Sequence, residues 1–257
     1  MLSIKRAPSP VPNNNDTPMV TPNISANLGP LPVGHTLEDL FPDPEYRSHV
    51  FWIKDKGHII GVRKVALKKD GDIFRSTVTE LKAYRRLLKK DSWKDYIMPF
   101  RNGQLLDHGQ TVYIDFDYVE GMDLIDYSKN GGDKRRVLAD IAKALAFCFD
   151  AGLTHGDIKG DNIYITKGGK ALLFDFGEAT IDPRQIDQED DLYAYMTLCK
   201  ELTGVVPPVD TDLYKRDIQD VYNDIIAFWK GHRGGRRTMK RHVKLPAKTR
   251  SRGKHNQ

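Results

Sequence analysis

The stretch His155-Gly156-Asp157-Ile158-Lys159-Gly160-Asp161-Asn162 gathers ionisable and amide side chains, and Asp175-Phe176-Gly177 begins thirteen residues after Asn162. Between the two lie the apolar runs Ile163-Tyr164-Ile165 and Ala171-Leu172-Leu173-Phe174, joined at Lys167-Gly168-Gly169. Carboxylates held close together away from water are costly unless a cation joins them. A hairpin at this point brings Asn162 and Asp175 together as an oxygen-ligand pair for Mg²⁺, which takes one or two protein oxygens and fills its shell with phosphate and water. Asp157, five residues before Asn162, is placed to orient an attacking hydroxyl or accept its proton. Lys159 is placed to offset charge on a transferring phosphoryl group.

The elements needed to hold these residues can be read from periodicity. His49 to Lys54 reads as a strand, Asp55-Lys56-Gly57 as a turn, and Ile59 to Lys69 as a further β-rich run. Ile73 to Lys90 reads as a helix, with Val78, Leu81 and Leu88 on one face. A second hairpin is expected around His108-Gly109-Gln110, between Gln104 to Asp107 and Val112 to Phe116. The first half is thus a sheet of about five strands with one helix inserted. In the second half Asp133 caps a helix over about 134–151, with Leu138, Ile141, Leu145 and Phe149 on its apolar face and Gly152 at its end. Leu192 to Leu202 and Leu213 to Trp229 are also expected as helices. A β-rich part followed by a helical part is an α+β arrangement.

The 257 residues are 39% hydrophobic and 29% charged, ordinary for a globular protein. No apolar run approaches the roughly 20 residues that span a bilayer, and no signal-peptide core is present, so no membrane is expected and the default location is intracellular, cytoplasmic or nuclear. The two cysteines, Cys148 and Cys199, lie in apolar helical patterns and read as small buried hydrophobes. Residues 1–34 hold seven of the fourteen prolines and read as a disordered tail, with Ser9-Pro10, Thr17-Pro18 and Thr21-Pro22 as candidate phosphorylation sites. The net charge of +5 divides unevenly. Lys230 to Gln257 carries eleven Lys and Arg and no acid, whereas the rest carries 29 basic and 35 acidic residues. The segment 231–257 is read as a disordered basic tail able to contact nucleic acid or an acidic partner, or to act as a nuclear import signal.

The segment from His155 to Gly177 resembles the catalytic loop and metal-binding triplet of eukaryotic-type protein kinases, whose H-R-D-x-K-x-x-N and D-F-G motifs share its internal spacing. The resemblance implies a two-lobed kinase-like fold over residues 35–230, with a small β-rich lobe over about 35–120 and a reduced, mainly helical lobe over about 121–230. It implies Asp157 as catalytic base, Lys159 as phosphate-side lysine, Asn162 and Asp175 as Mg²⁺ ligands, and His155 and Phe176 as packing residues that align them. Phe116 to Leu124 resembles the segment that links the lobes, where backbone at Asp117 and Val119 would hold adenine and Asp123 the ribose; an ordinary strand-to-helix connection is the alternative. Glu80 resembles the helix glutamate that pairs with the ATP lysine, or is a solvated carboxylate. Asp191 resembles the brace of the catalytic loop, or is a plain helix cap. The lysine itself is open between Lys64 and Lys68. Strand phase does not separate residues four apart, and the wording Val65-Ala66-Leu67-Lys68 favours Lys68.

Three departures qualify this. No glycine-rich loop precedes the lysine strand, where the chain reads Phe41-Pro42-Asp43-Pro44-Glu45-Tyr46-Arg47. Gly156 replaces the arginine that normally pairs with a phosphorylated loop, so no such switch is expected. Only about fourteen residues separate Gly177 from Asp191, with no A-P-E motif. The resemblance implies a Ser/Thr protein kinase using ATP and Mg²⁺ on a protein substrate. Small-molecule phosphotransferases of the aminoglycoside and choline type, and a nucleotide-binding pseudokinase, are the alternatives.

Overall fold

The computed structural model describes residues 28–40, 50–209 and 216–231. The prolines and Ser/Thr-Pro sites before residue 28, the stretch at 41–49 where a glycine-rich loop was sought, and the basic tail after residue 231 lie outside the described residues.

The first part is a five-stranded antiparallel sheet: β1 (His35–Asp39), β2 (Val50–Asp55), β3 (His58–Leu67), β4 (Phe100–Leu106) and β5 (Thr111–Asp117), in spatial order β1-β2-β3-β5-β4. The two-residue turn Lys56-Gly57 joins β2 to β3 with both residues at positive φ, the hairpin geometry that matches strand twist. Helix α1 (Asp72–Leu87) follows β3 and buries Thr77, Glu80, Leu81, Ala83, Tyr84 and Leu87. Leu81 packs with Ala66, Val112 and Ile114 of the sheet. Strand β1 was not expected. It is an edge strand with a mostly exposed pattern, so it carries little apolar signal.

The outer face of the sheet is also covered. Residues 28–30, read from sequence as part of a disordered tail, are held there by Arg63 of β3. The fully buried Arg63 guanidinium donates to the carbonyl oxygens of Leu28 (2.7 Å), Gly29 (3.1 Å) and Pro30 (3.1 Å). Its other two N–H groups make a bidentate pair with Asp115 of β5, at 2.6 and 2.7 Å. The guanidinium lies 4.4 Å from the centroid of the Tyr113 ring.

The second part begins with β6 (Gly121–Asp123) and α2 (Leu124–Lys129), followed by α3 (Lys134–Asp150), β7 (Leu153–Thr154), β8 (Ile163–Thr166), β9 (Ala171–Leu173), β10 (Thr180–Ile181), α4 (Gln185–Thr203) and α5 (Ile218–Gly231). Strands β6, β8 and β9 form one small sheet, and β7 pairs with β10. Asp133 caps α3 by accepting from the Arg136 N–H, as the sequence suggested. Tyr195 of α4 donates to the Leu138 carbonyl of α3 (2.9 Å) and accepts from the Trp229 indole of α5 (2.8 Å), tying three helices together. Cys148 and Cys199 are free and buried among them. Tyr84, Leu87 and Ile97 from the first part belong to the same core as α3, so the two parts are packed together through α1. Among the described residues no helix is long and apolar enough to cross a membrane.

Candidate active site

Helix α1, β3 and the β8–β9 hairpin converge on an open cleft. Val50, Trp52, Val62 and Lys64 line it from β2 and β3, Phe116 to Val119 from the linking segment, and Tyr164, Phe174 and Asp175 from the second part.

Lys64 is the lysine in the cleft. Its Nζ lies 2.6 Å from Glu80 Oε2 and 3.1 Å from Asp175 Oδ1. The expectation that favoured Lys68 is corrected. Strand β3 ends at Leu67, whose N–H donates to Asp70 Oδ2, and Lys68 opens an exposed 3-10 turn beyond the cleft. Strand phase was uninformative because the deciding feature is where the strand stops. Glu80 is 2% exposed, so the solvated alternative for it fails. Burial works against the charge on Lys64, but the Glu80 and Asp175 carboxylates outweigh it and hold the ammonium above its ordinary pKa. Burial likewise opposes ionisation of Asp175, and Lys64 overcomes it, holding that carboxyl below the usual range.

Asp157, Lys159 and Asn162 cluster on the loop between β7 and β8. The Asn162 amide donates both protons to Asp157, one to its carbonyl and one to Oδ2, each at 2.8 Å. That leaves the Asn162 Oδ1 as the group's ligand atom. Lys159 Nζ pairs with Asp157 Oδ2. Asp175 has left-handed backbone (φ 62, ψ 66), which turns the chain sharply out of β9.

The loop is braced from below. Asp191 accepts from the N–H groups of His155 (2.6 Å) and Gly156 (2.8 Å). It lies within α4, which begins at Gln185 rather than near Leu192, so the reading of Asp191 as a helix cap is excluded. The early start was hidden by the charged run Gln188-Glu189-Asp190-Asp191. His155 Nδ1 accepts from the Asp157 N–H, so its Nε2 carries the proton given to the Phe174 carbonyl. A column of rings, Phe100, Tyr84, Phe176 and His155, connects β4 through α1 to this loop, with successive centroids 5.4, 5.4 and 4.6 Å apart. The Tyr84 hydroxyl in that column is buried and without a partner among the described residues. Tyr84→Phe should therefore leave the stability unchanged or raise it by up to about 1 kcal/mol, read as an unchanged or slightly higher thermal midpoint in a melting experiment.

Gly156 has a local cause. It sits at φ +81, and a Cβ there would collide with the Glu178 carbonyl oxygen. The chain after Gly177 runs immediately into β10, paired with β7, and on to α4. A short segment and a glycine at 156 are thus one feature.

Two sequence assignments fare differently. Asp117 lines the cleft, with its carboxylate turned out to Arg101 (2.7 Å). Asp123 does not line it. Its Oδ1 caps α2 by accepting from the Asp126 N–H (2.7 Å), which is the ordinary connection held open for that segment. Sequence reasoning missed Trp52 and Tyr164 as cleft residues; their strand register beside Val62 and Asn162 was the available signal.

A family model described as "Protein kinase domain" matches residues 48–208. The chain belongs to the protein kinase domain family. Sperm motility kinase 2B of Mus musculus is 30% identical over 82 residues, 30% of this chain and 17% of that one. CTD kinase subunit alpha of Schizosaccharomyces pombe is 28% identical over 130 residues, 48% of this chain and 21% of that one. The serine/threonine-protein kinase PAK 5 of Rattus norvegicus is 27% identical over 119 residues, 45% and 16%. The chain spans about a fifth or less of the length of these relatives. Among solved structures, WbdD matches with a TM-score of 0.52 at 15% identity, over 74% of this chain and 44% of that one. WbdD with a kinase inhibitor matches with a TM-score of 0.51 at 13% identity, over 71% and 43%. These structural likenesses establish the fold. The family match and these relatives together place a protein kinase domain in this chain.

Proposed function

We propose that the protein is an ATP- and Mg²⁺-dependent Ser/Thr protein kinase. The observation that carries this is the contact of Lys64 with Glu80 and Asp175 in one cleft, beside a loop in which Asn162 bonds Asp157 and accepts at its carbonyl from the N–H of Phe174, the residue before Asp175. The residues fit the implied groups. Among the described residues no three His, Cys, Asp or Glu side chains form a self-sufficient metal site. One carboxylate from Asp175 and one amide oxygen from Asn162 suit Mg²⁺ that is shared with phosphate. The apolar walls from Val62, Phe116 and Phe174 suit a flat base.

When bound, ATP supplies the phosphoryl group and Mg²⁺ neutralises its charge. The chain's own work is positional and electrostatic. Lys64, kept protonated by two carboxylates, holds phosphate oxygens. Asp157 orients the acceptor hydroxyl and takes its proton, and Lys159 beside it offsets the negative charge. Asp191 and the ring column hold the loop rigid. Protein with Mg²⁺ and labelled ATP should label itself or a basic protein. Lys64→Met should reduce transfer on the order of a hundredfold, as expected for a lost charge contact, whereas Lys68→Met should leave it near wild type. Equal losses would remove the assignment of Lys64.

One observation favours a second reading. The segment between Gly177 and α4 is taken up by β10 and a short turn, leaving little loop on which to dock a peptide. A small-molecule acceptor would use the same Asp157. A panel of generic proteins against aminoglycosides and choline separates the two.

A further inference from the structure

Helix α1 turns Glu80 toward the cleft and a row of cations the other way. Arg75, Lys82 and Lys89 recur at every seventh position, with Arg85 between the last two, on the side opposite the buried Glu80, Tyr84 and Leu87. Lys89 lies in the turn that prolongs the helix, its N–H bonded to the Arg86 carbonyl at 3.3 Å. All four side chains of the row are exposed. Arg75 pairs with the Asp72 carboxylate. Lys82 and Lys89 pair with no carboxylate among the described residues, and Arg85 reaches the uncharged Gly103 carbonyl at 3.2 Å.

Like charges three and four residues apart on a helix repel and destabilise it. Lys82 and Arg85 stand in the first relation, Arg85 and Lys89 in the second. The cations on the flank are different: Arg86 is matched by Asp182 (2.7 Å) and Lys90 by Asp150 (2.8 Å), so these two serve the fold. The row itself contributes nothing to the packing of α1, and its charge is left for an anion from outside.

The shape and chemistry of the row indicate which anion. It runs for about 20 Å along the helix. No exposed large apolar residue lies between Arg75 and Lys89. Protein–protein interfaces are poor in lysine and are anchored by apolar and aromatic groups, whereas nucleic-acid surfaces are strongly cationic and built chiefly on phosphate contacts. A duplex carries about twelve phosphates over about 20 Å. The row holds no aromatic ring on which an unpaired base could stack, which favours a duplex over a single strand.

We propose that the solvent face of α1, through Lys82, Arg85 and Lys89, binds the phosphate backbone of a nucleic-acid duplex without reading its sequence. The row and the cleft lie on opposite sides of one helix, so a bound duplex leaves the cleft open. The proposal does not depend on the phosphotransferase reading above.

The test is fluorescence anisotropy of a labelled DNA duplex of about 25 base pairs, titrated with the full chain between about 0.05 and 0.3 M salt. The eleven Lys and Arg from Lys230 onward stay in place in every variant, so the comparison isolates the row. Lys82→Gln/Lys89→Gln should lower the affinity by more than about tenfold at about 0.1 M salt, and the slope of log affinity against log salt by about two units. The loss should be the same for two unrelated sequences, as phosphate contacts require. The thermal midpoint of this variant should be unchanged or higher, because a repulsion is removed. Lys56→Gln/Lys200→Gln, which changes two exposed lysines away from α1, should keep the affinity within about threefold of wild type. No binding by wild type, an unchanged affinity in the α1 variant, or an equal loss in the Lys56/Lys200 variant overturns the proposal. Polyglutamate that binds as tightly as the duplex, with the same loss in the α1 variant, also overturns it and gives the face to an acidic protein.

Discussion

Asp157→Asn should lower phosphoryl transfer by about three orders of magnitude while MgATP affinity stays within about twofold. The substitution is nearly isosteric. The new side-chain carbonyl can still accept from the Asn162 amide, whose other proton goes to the backbone carbonyl of residue 157. Lys64, Glu80 and Asp175 are untouched, so the nucleotide end of the cleft is preserved. What is lost is a carboxylate able to take the acceptor proton, an effect worth roughly 10²–10⁴ in rate. Single-turnover transfer of labelled phosphate, alongside calorimetric binding, reads the two quantities separately. Retained transfer would remove Asp157 as the base. Loss of binding together with transfer would mean the loop had collapsed.

The largest stability effect should come from the opposite face of β3. Arg63→Met should destabilise the fold by about 3–5 kcal/mol, the usual consequence of removing one partner of a buried pair. All five guanidinium N–H groups are used, on Asp115 and on three backbone carbonyls. The substitution leaves the Asp115 carboxylate, in a residue only 4% exposed, without its counter-charge, and releases residues 28–30 from the sheet. Adding Asp115→Asn to Arg63→Met should recover part of the loss, because a neutral amide is far less costly to bury than a charge. Urea unfolding of the single and double variants measures both steps. A single variant within about 1 kcal/mol of wild type would show that the N-terminal clasp contributes little.

The candidate site residues were legible because they lie close together in the sequence. Asp157, Lys159 and Asn162 lie within six residues of chain, and a short hairpin brings Asp175 to them, so spacing alone nearly determined the cluster. The helices were legible where apolar periodicity was strong, as in α3, and their ends were misjudged where charge masked them, as at Gln185 of α4. The choice of Lys64 depended on β3 ending at Leu67, and no periodicity carries the end of a strand. The Arg63 clasp joins residues more than thirty positions apart on the reverse side of a strand that had been read for its cleft face. Tyr164 looked like an ordinary strand residue until its hydroxyl was seen to cross to Val119. Long-range pairings of this kind leave no trace in local pattern.

Gly156 also constrains how the protein can be brought under outside control. Restoring an arginine there, to receive a phosphate from another enzyme, is blocked: the backbone is at φ +81 and the first side-chain carbon would strike the Glu178 carbonyl. Residues would have to be inserted after Gly177 first, lifting Glu178 off the catalytic loop, before any side chain at 156 could be accommodated. The order of steps is therefore imposed by the geometry. An engineer who wants a switchable descendant must lengthen the loop before changing the residue, and a lineage that shortened the loop first would have found glycine the only residue that fits.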